Sequence, residues 1–494
     1  MSDIVFLDTE VSLESKKIND IGAIKTSLPV KTRSGAEFHN ASIKEFSDFV
    51  RGAFYYCGHN IVDFDSKYLG TQVDFIKDGM LIDTLYLSPL LFPRKPYHRL
   101  VKDDKLITEE INNPLNDSYK CMELFMDETG EYGKLDDDMK RIFYSLLSDK
   151  SGYKAFFKCM GVSYDATNLG DLIHKRFKGK ICENASLGEL IYNYPIELSY
   201  VLSVINADDR ESIIPSWVNK RYPNVTNVFR TVRGIPCKKG CTYCDSHFDL
   251  KKKLKEKFGY DDFRTYNGEA LQEKAARAAV EGQSLLAIFP TGGGKSLTFQ
   301  LPALMAAETV KGLTVVISPL QSLMKDQVDS LAKRGISDAV TINGLLNPVE
   351  RKEAIERVES GIASILYIAP ESLRSRTIER LLLSRNVVRV VIDEAHCFSS
   401  WGQDFRVDYL YIGDFIAMLK EKTGHDIPVS CFTATAKQKV ISDIRAYFDQ
   451  KLGVKLSLFT TDAARKNLRY EVIYRETDQE KYQTLRDLID QRTA

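Results

Sequence analysis

At about 150 residues per domain, a chain of 494 residues is too long for one ordinary domain and suggests about three. Apolar residues make up 44% and charged residues 28%, and Lys+Arg and Asp+Glu are both 68, so cores can be built but the chain as a whole does not attract nucleic acid; a nucleic-acid partner needs local basic patches. No apolar run reaches the roughly 18 residues of a membrane span, the start MSDIVFLDTEVSLESKK lacks the marks of a signal peptide, and nine mostly scattered cysteines do not form a disulfide framework, so the expected setting is a reducing cytoplasm with no membrane partner.

The first block, residues 1–125, mixes short apolar strands with helical stretches. IVFLDTEVSLESKKINDIGAIK opens with a strand bearing Asp8 and Glu10; GHNIVDFDSKYL follows with Asp65; HRLVKDDKLITEEINNPLNDSYKCMELF places Asp117 at the opening of a helix. Four carboxylates in one pocket repel one another unless cations neutralise them, and such a set can hold two Mg²⁺ or Mn²⁺ ions across a phosphodiester. These segments, with IDTLYLSPLLFP between the second and third, resemble a DnaQ-like, DEDD-type 3′–5′ exonuclease. The resemblance implies an RNase H-like fold with Asp8, Glu10, Asp65 and Asp117 as metal ligands and catalytic residues. It also implies a His five residues, or a Tyr four residues, before the last Asp as general base. Those positions hold Asn112 and Asn113, neither of which accepts a proton usefully at neutral pH; His98 reads as a surface residue, with recruitment from a neighbouring loop as the alternative. Two readings stay open: a working exonuclease, or a module that grips DNA ends with a dead nuclease fold.

Residues 126–235 are expected to form a helical connector, on patterns such as LGELIYNYPIELSYVLSVI. Residues 236–257 carry Cys237-x₃-Cys241-x₂-Cys244, His247 and the basic run LKKKLKEKF. Three soft thiolates within eight residues have metal-ligand spacing, and Zn²⁺ completed by His247 or Cys182 is the expected occupant, with an iron–sulfur cluster as the alternative.

From about residue 258 the pattern changes to alternation. SLLAIFP, LTVVISP, ASILYIAP, VVRVVIDEA and VSCFTATA are separated by helical segments, the signature of a parallel sheet covered on both faces. SLLAIFP-TGGGKS-LTFQLPALMAA reads strand, Gly-rich loop, helix. Thr291, Gly292, Gly293 and Gly294 supply a loop that approaches phosphate with backbone N–H groups, Lys295 reaches the β/γ-phosphates, and Ser296 meets Mg²⁺. Phe289 stands where the general pattern has its first Gly. About 100 residues on, VVRVVIDEAH ends a strand in Asp393, which can hold Mg²⁺, and Glu394, which can take a proton from the attacking water.

With FGYDDFR…LQ, ISPLQSLMKDQV, FTATA and AHCFSSWGQDFRVDY added, residues 258–475 resemble the first motor lobe of a RecQ-type helicase of superfamily two. The resemblance implies a RecA-like parallel α/β lobe that binds ATP. Gln272 would read adenine, with a few extra residues between Arg264 and Gln272. Phe398, Trp401, Phe405 and Arg406 would form an aromatic-rich loop that contacts single-stranded or partly duplex DNA, with Gln403 where the family usually has His. RKNLRYEVIYRE, leading into residues 476–494, resembles a linker to a second motor lobe, expected in a further part of the polypeptide or in another chain. The whole reads as an α/β multi-domain DNA-processing enzyme: exonuclease-like domain, metal-bound helical connector, helicase lobe, acting in repair or in defence against foreign DNA.

Overall fold

The computed structural model describes residues 3–12, 14–70, 73, 80–94, 113–165, 167–399, 407–434, 437–460 and 471–493. Its β-structure falls into two sheets. The first has five strands: β1 (Asp3–Val11), β2 (Ile18–Ser27), β3 (Ala36–Asn40), β4 (Tyr55–Gly58) and β5 (Met80–Asp83), in the order β3-β2-β1-β4-β5. β1 runs antiparallel to β2 and parallel to β4, and β4 runs parallel to β5.

Side chains of β1 alternate between two cores, as a two-residue period requires. Ile4 and Phe6 join a large cluster with Cys121, Met122 and Phe125 of the helix Pro114–Lys134. Val5 and Leu7 face Phe38, Phe46 and Val50 on the other side. The first of these cores continues without a break into the helices that follow, through Ile142, Phe156, Tyr200, Val204 and Phe229. The connector is therefore packed onto the first sheet. Tyr153 and Tyr200 share a buried hydroxyl–hydroxyl bond of 2.6 Å, and Tyr200 also donates to the Tyr86 carbonyl at 3.0 Å.

The second sheet has seven strands, all parallel: β6 (Leu285–Ile288), β7 (Leu313–Ile317), β8 (Ala339–Ile342), β9 (Ile365–Ile368), β10 (Val387–Ile392), β11 (Val429–Thr433) and β12 (Ser457–Thr460), in the order β12-β6-β11-β10-β7-β9-β8. β6, β7, β9 and β11 are buried along their whole length, which is why they read as continuous apolar runs. Leu286 and Ile288 belong to one face's core, Leu285 and Ala287 to the other's. The second of these cores also takes in Cys182, Cys241, Tyr243, Cys244 and Phe248, so the cysteine-bearing segment packs against the second sheet. Among the described residues no helix is long and apolar enough to cross a membrane.

Candidate functional site

β6 ends at Ile288, and the chain turns through Phe289–Gly294 into the helix Lys295–Val310. The turn uses the left-handed region at Gly292 (φ 76) and Gly294 (φ 78), where a side chain would be strained. A Cβ on Gly294 would also come within 2.4 Å of the Gln272 amide. The helix runs 16 residues, so its N-terminus offers an anion the unpaired backbone N–H groups and the positive dipole end.

The loop meets the acidic strand end directly. β11 lies between β6 and β10, and Lys295 Nζ is 3.3 Å from Glu394 Oε1. Glu394 Oε2 is 3.1 Å from His396 Nδ1, which lies 3.2 Å from Thr433 Oγ1 at the end of β11. Burial pushes the Glu394 carboxyl up, but the bonds from His396 and Lys295 outweigh it and hold the group below the ordinary glutamate range. Asp393 goes the other way: burial, then the neighbouring Glu394 charge, raises it. Glu394 sits at φ 48, a left-handed conformation at the centre of the constellation.

Gln272 is fully buried, with both ends of its amide engaged: Oε1 accepts from Arg264 N at 2.8 Å and Nε2 donates to the Gly294 carbonyl at 2.9 Å. It braces the loop, a task its expected part in adenine reading did not include. His396, Arg264 and Tyr266 also belong to this site and were not among the residues expected there. For His396 the signal was its place directly after Asp393-Glu394-Ala395; for Tyr266 nothing short of the fold was available.

One expected DNA contact is corrected. Phe398 is 6% exposed, and its ring packs against Tyr409, Tyr447 and Phe448 at centroid distances of 5.3, 4.6 and 5.3 Å. It is a core residue, held at the end of the short turn Ala395–Phe398. Trp401, Gln403, Phe405 and Arg406 lie outside the described residues, as do Thr435 and Ala436 of FTATA.

In the first sheet, Asp8, Glu10 and Asp117 present carboxylate oxygens within 4.8 Å of one another. Asp8 and Glu10 share a face of β1 by their two-residue spacing. Asp117 arrives through a close approach. Asp8 pairs across the strands with Gly22, and a Cβ on Gly22 would stand 2.1 Å from Pro114 C and Leu115 N. Only a glycine lets the helix Pro114–Lys134 begin there. Asn113 caps that helix, its side chain accepting from Leu115 N and Asn116 N, while Ser118 Oγ donates to the Gly22 carbonyl at 2.8 Å.

The fourth carboxylate departs from the expected set of four. Asp65 Oδ1 accepts from Thr9 N at 2.9 Å and from Thr9 Oγ1 at 2.7 Å, fully buried beside the strand and outside the converging three. Burial lifts it to about 7. Asp83, from IDTLYLSPLLFP, is also buried and raised to about 7; its carboxylate accepts from the backbone N–H groups of Asn60, Val62 and Leu85. Asn112 and His98 lie outside the described residues.

The sulfurs of Cys182, Cys237, Cys241 and Cys244 lie within 4.8 Å of one another. N–H groups already serve them: Asn184 Nδ2 donates to Cys237 at 3.2 Å, Cys237 N to Cys244 at 3.4 Å and Cys244 N to Cys241 at 3.4 Å. Four thiols, three of them with such donors, fit a thiophilic cation, since the N–H bonds suit sulfur in its thiolate form. His247, the other expected ligand, is elsewhere. Its ring stacks on Tyr243 at 4.2 Å and its Nδ1 lies 2.9 Å from the Tyr243 carbonyl. Cys182, from a separate loop, stands in the fourth place.

Comparison with known proteins bears on the second sheet. Residues 269–444 match the DEAD/DEAH box helicase family. The chain is 40% identical over 245 residues to the ATP-dependent DNA helicase Q5 of Rattus norvegicus, covering 48% of this chain and 24% of that protein. It is 37% identical over 235 residues to the ATP-dependent DNA helicase RecQ of Haemophilus influenzae, covering 48% and 34%, and 41% identical over 218 residues to that of Bacillus subtilis, covering 44% and 34%. The chain thus spans about a quarter to a third of these relatives. Residues 269–444 are a DEAD/DEAH box helicase domain, and its relatives are RecQ-type DNA helicases.

Proposed function

We propose that the seven-stranded sheet is the ATP-binding lobe of a RecQ-type DNA helicase. The observation that carries this reading is the meeting of Lys295, at the mouth of the Gly-rich loop, with Glu394, at the end of β10. With ATP and Mg²⁺ bound, the metal would neutralise charge between the phosphates, near Ser296 and Asp393. The chain's own groups do the rest. The loop N–H groups and Lys295 hold the phosphates. Glu394, kept ionised by His396 and Lys295, accepts a proton from the attacking water. His396 is within reach of Thr433 in FTATA and so relays the state of the site to that segment. DNA, single-stranded or partly duplex, is the proposed partner, with Trp401, Phe405 and Arg406 as its contacts. A second lobe, in the same polypeptide or another, would close the cleft. Glu394→Gln tests the assignment: it should bind ATP and fail to hydrolyse it, and retained hydrolysis would remove Glu394 from this role.

The first sheet supports an exonuclease-like reading, in which Asp8, Glu10 and Asp117 hold divalent cations; because the helix Pro114–Lys134 and a shared core cross the expected boundary at 125, we take residues 1–235 as one unit, followed by 236–257 and 258–475. The engagement of Asp65 with Thr9 favours a second reading, a DNA-end-binding module of weak or absent nuclease activity. Cleavage of 3′ ends with Mn²⁺ separates the two. The four cysteines support a structural Zn²⁺ that ties Cys182 to the segment packed on the motor lobe; such an ion would supply folding energy and no chemistry.

A further inference from the structure

Arg264 and Tyr266, from the segment just before the helix Leu271–Val280, and Gln272, from the first turn of that helix, hold the phosphate loop from one side. Arg264 Nη1 donates to the Gly292 carbonyl, the Tyr266 hydroxyl to the Gly293 carbonyl, and Gln272 Nε2 to the Gly294 carbonyl. Each consecutive glycine carbonyl has its own donor. A trans peptide unit is planar, with its C=O and N–H pointing opposite ways. Fixing the Gly293 carbonyl toward Tyr266 turns the Gly294 N–H away from this segment, and fixing the Gly294 carbonyl does the same for the Lys295 N–H. Successive N–H groups aimed one way form an anion-binding concavity.

Tyr266 comes from the stretch between Arg264 and Gln272. The stretch is a tight hairpin: Tyr266 and Glu269 exchange both backbone hydrogen bonds, each 2.9 Å, around Asn267 (φ 49) and Gly268 (φ 84). Asn-Gly is the dipeptide best suited to such a two-residue turn. The Tyr266 ring stacks on Phe289 at 5.0 Å with 14° between the planes, and its hydroxyl stands 3.1 Å from where a Cβ on Gly293 would be. Ring, hydroxyl and turn together set its position over the loop.

We propose that this hairpin is a brace for the phosphate loop and that Tyr266 is its positioning residue, turning the Gly293–Gly294 peptide so that the loop meets a nucleoside triphosphate already arranged for its phosphates. The inference rests on the reading of the loop as the ATP site.

Tyr266→Phe removes the hydroxyl and keeps the ring on Phe289. The whole chain is titrated with the fluorescent analogue mant-ATP, which is then displaced with ATP, ADP and adenosine. Tyr266→Phe should weaken ATP and ADP about 2- to 10-fold, the range of one neutral hydrogen bond, with adenosine displacement and the thermal midpoint of the free chain unchanged. Gly268→Val, which strains the turn at φ 84, should give the same split between phosphate-bearing ligands and adenosine. Wild-type ATP affinity in Tyr266→Phe, with affinity lost in Lys295→Ala, overturns the brace and leaves the ATP site standing. Equal losses for ATP and adenosine also overturn it, because the hydroxyl would then support the pocket as a whole. If Lys295→Ala binds ATP as the wild type does, the site reading falls and the brace falls with it.

Discussion

Lys295 Nζ lies 3.3 Å from Glu394 Oε1, joining a helix N-terminus to the end of a strand two places away in the sheet. The lysine neutralises the Glu394 carboxylate, and on the proposed reading a triphosphate would offer the same cation a stronger partner. Glu394→Gln keeps the shape of the side chain and removes its ability to take a proton. We expect phosphate release in the presence of single-stranded DNA to fall by about 10²–10⁴-fold, with nucleotide affinity retained.

Phe398 and Trp401 should behave differently although both belong to the aromatic-rich stretch. Phe398→Ala empties a packed site and should cost about 3–5 kcal/mol of stability, read by denaturant unfolding. Trp401→Ala should leave stability intact and reduce the stimulation of ATPase by single-stranded DNA. A stable Phe398→Ala with weakened DNA stimulation would return Phe398 to the DNA surface.

The cysteine cluster should hold about one Zn²⁺ per chain. Cys182→Ser and Cys241→Ser should both lose it in elemental analysis, whereas His247→Ala should keep it. Iron and sulfide in the protein would instead favour a cluster, and metal retained in Cys182→Ser but lost in His247→Ala would reverse the choice of fourth ligand.

Gly22 makes a sharp test of the first sheet. Gly22→Ala drives a methyl group into the Pro114–Leu115 backbone, and overpacking of this kind costs about 1–3 kcal/mol. Because the same contact seats Asp117 beside Asp8, Gly22→Ala should also weaken the rise in melting temperature that Mn²⁺ gives the wild type. Nuclease activity is expected to be slow and to rise in Asn112→His; absence of cleavage in both, with Mn²⁺ present, selects the end-binding reading.

Asp83 sets a pH dependence. Its folded value, about 7, lies above its ordinary 3.8, so the folded state holds a proton that the unfolded chain has released. Its contribution is fully present below about pH 4 and is lost as pH rises through about 7. Unfolding of the N-terminal sheet should therefore become easier between pH 5 and about 7.5, by an amount on the order of a few kcal/mol, and Asp83→Asn should reduce that slope, leaving the part that Asp65, lifted to the same value, contributes. An unchanged slope in Asp83→Asn would assign it to another group.

Much of the motor lobe was legible because its chemistry is local. A Gly-rich loop between a strand and a helix, and two acids at a strand end, are contiguous in sequence, and the parallel sheet announces itself through fully buried strands. What was not legible depends on packing between distant segments. Nothing in AHCFSSWGQDF marks Phe398 as buried, because Tyr447 and Phe448, which cover it, come from a distant helix. His247 has ligand-like spacing from Cys244, but its own helix turn stacks it on Tyr243, and Cys182 arrives from another loop. Asp65 was found, but not that Thr9 would hold its carboxylate against β1.

The proposed ATP site rests on the loop before Lys295. Equilibrium binding of labelled ATP to wild type and to Lys295→Ala tests it most directly. We expect measurable binding by the wild type and none by the variant under the same conditions, with both chains folded to the same thermal midpoint. Equal binding by the two would contradict it.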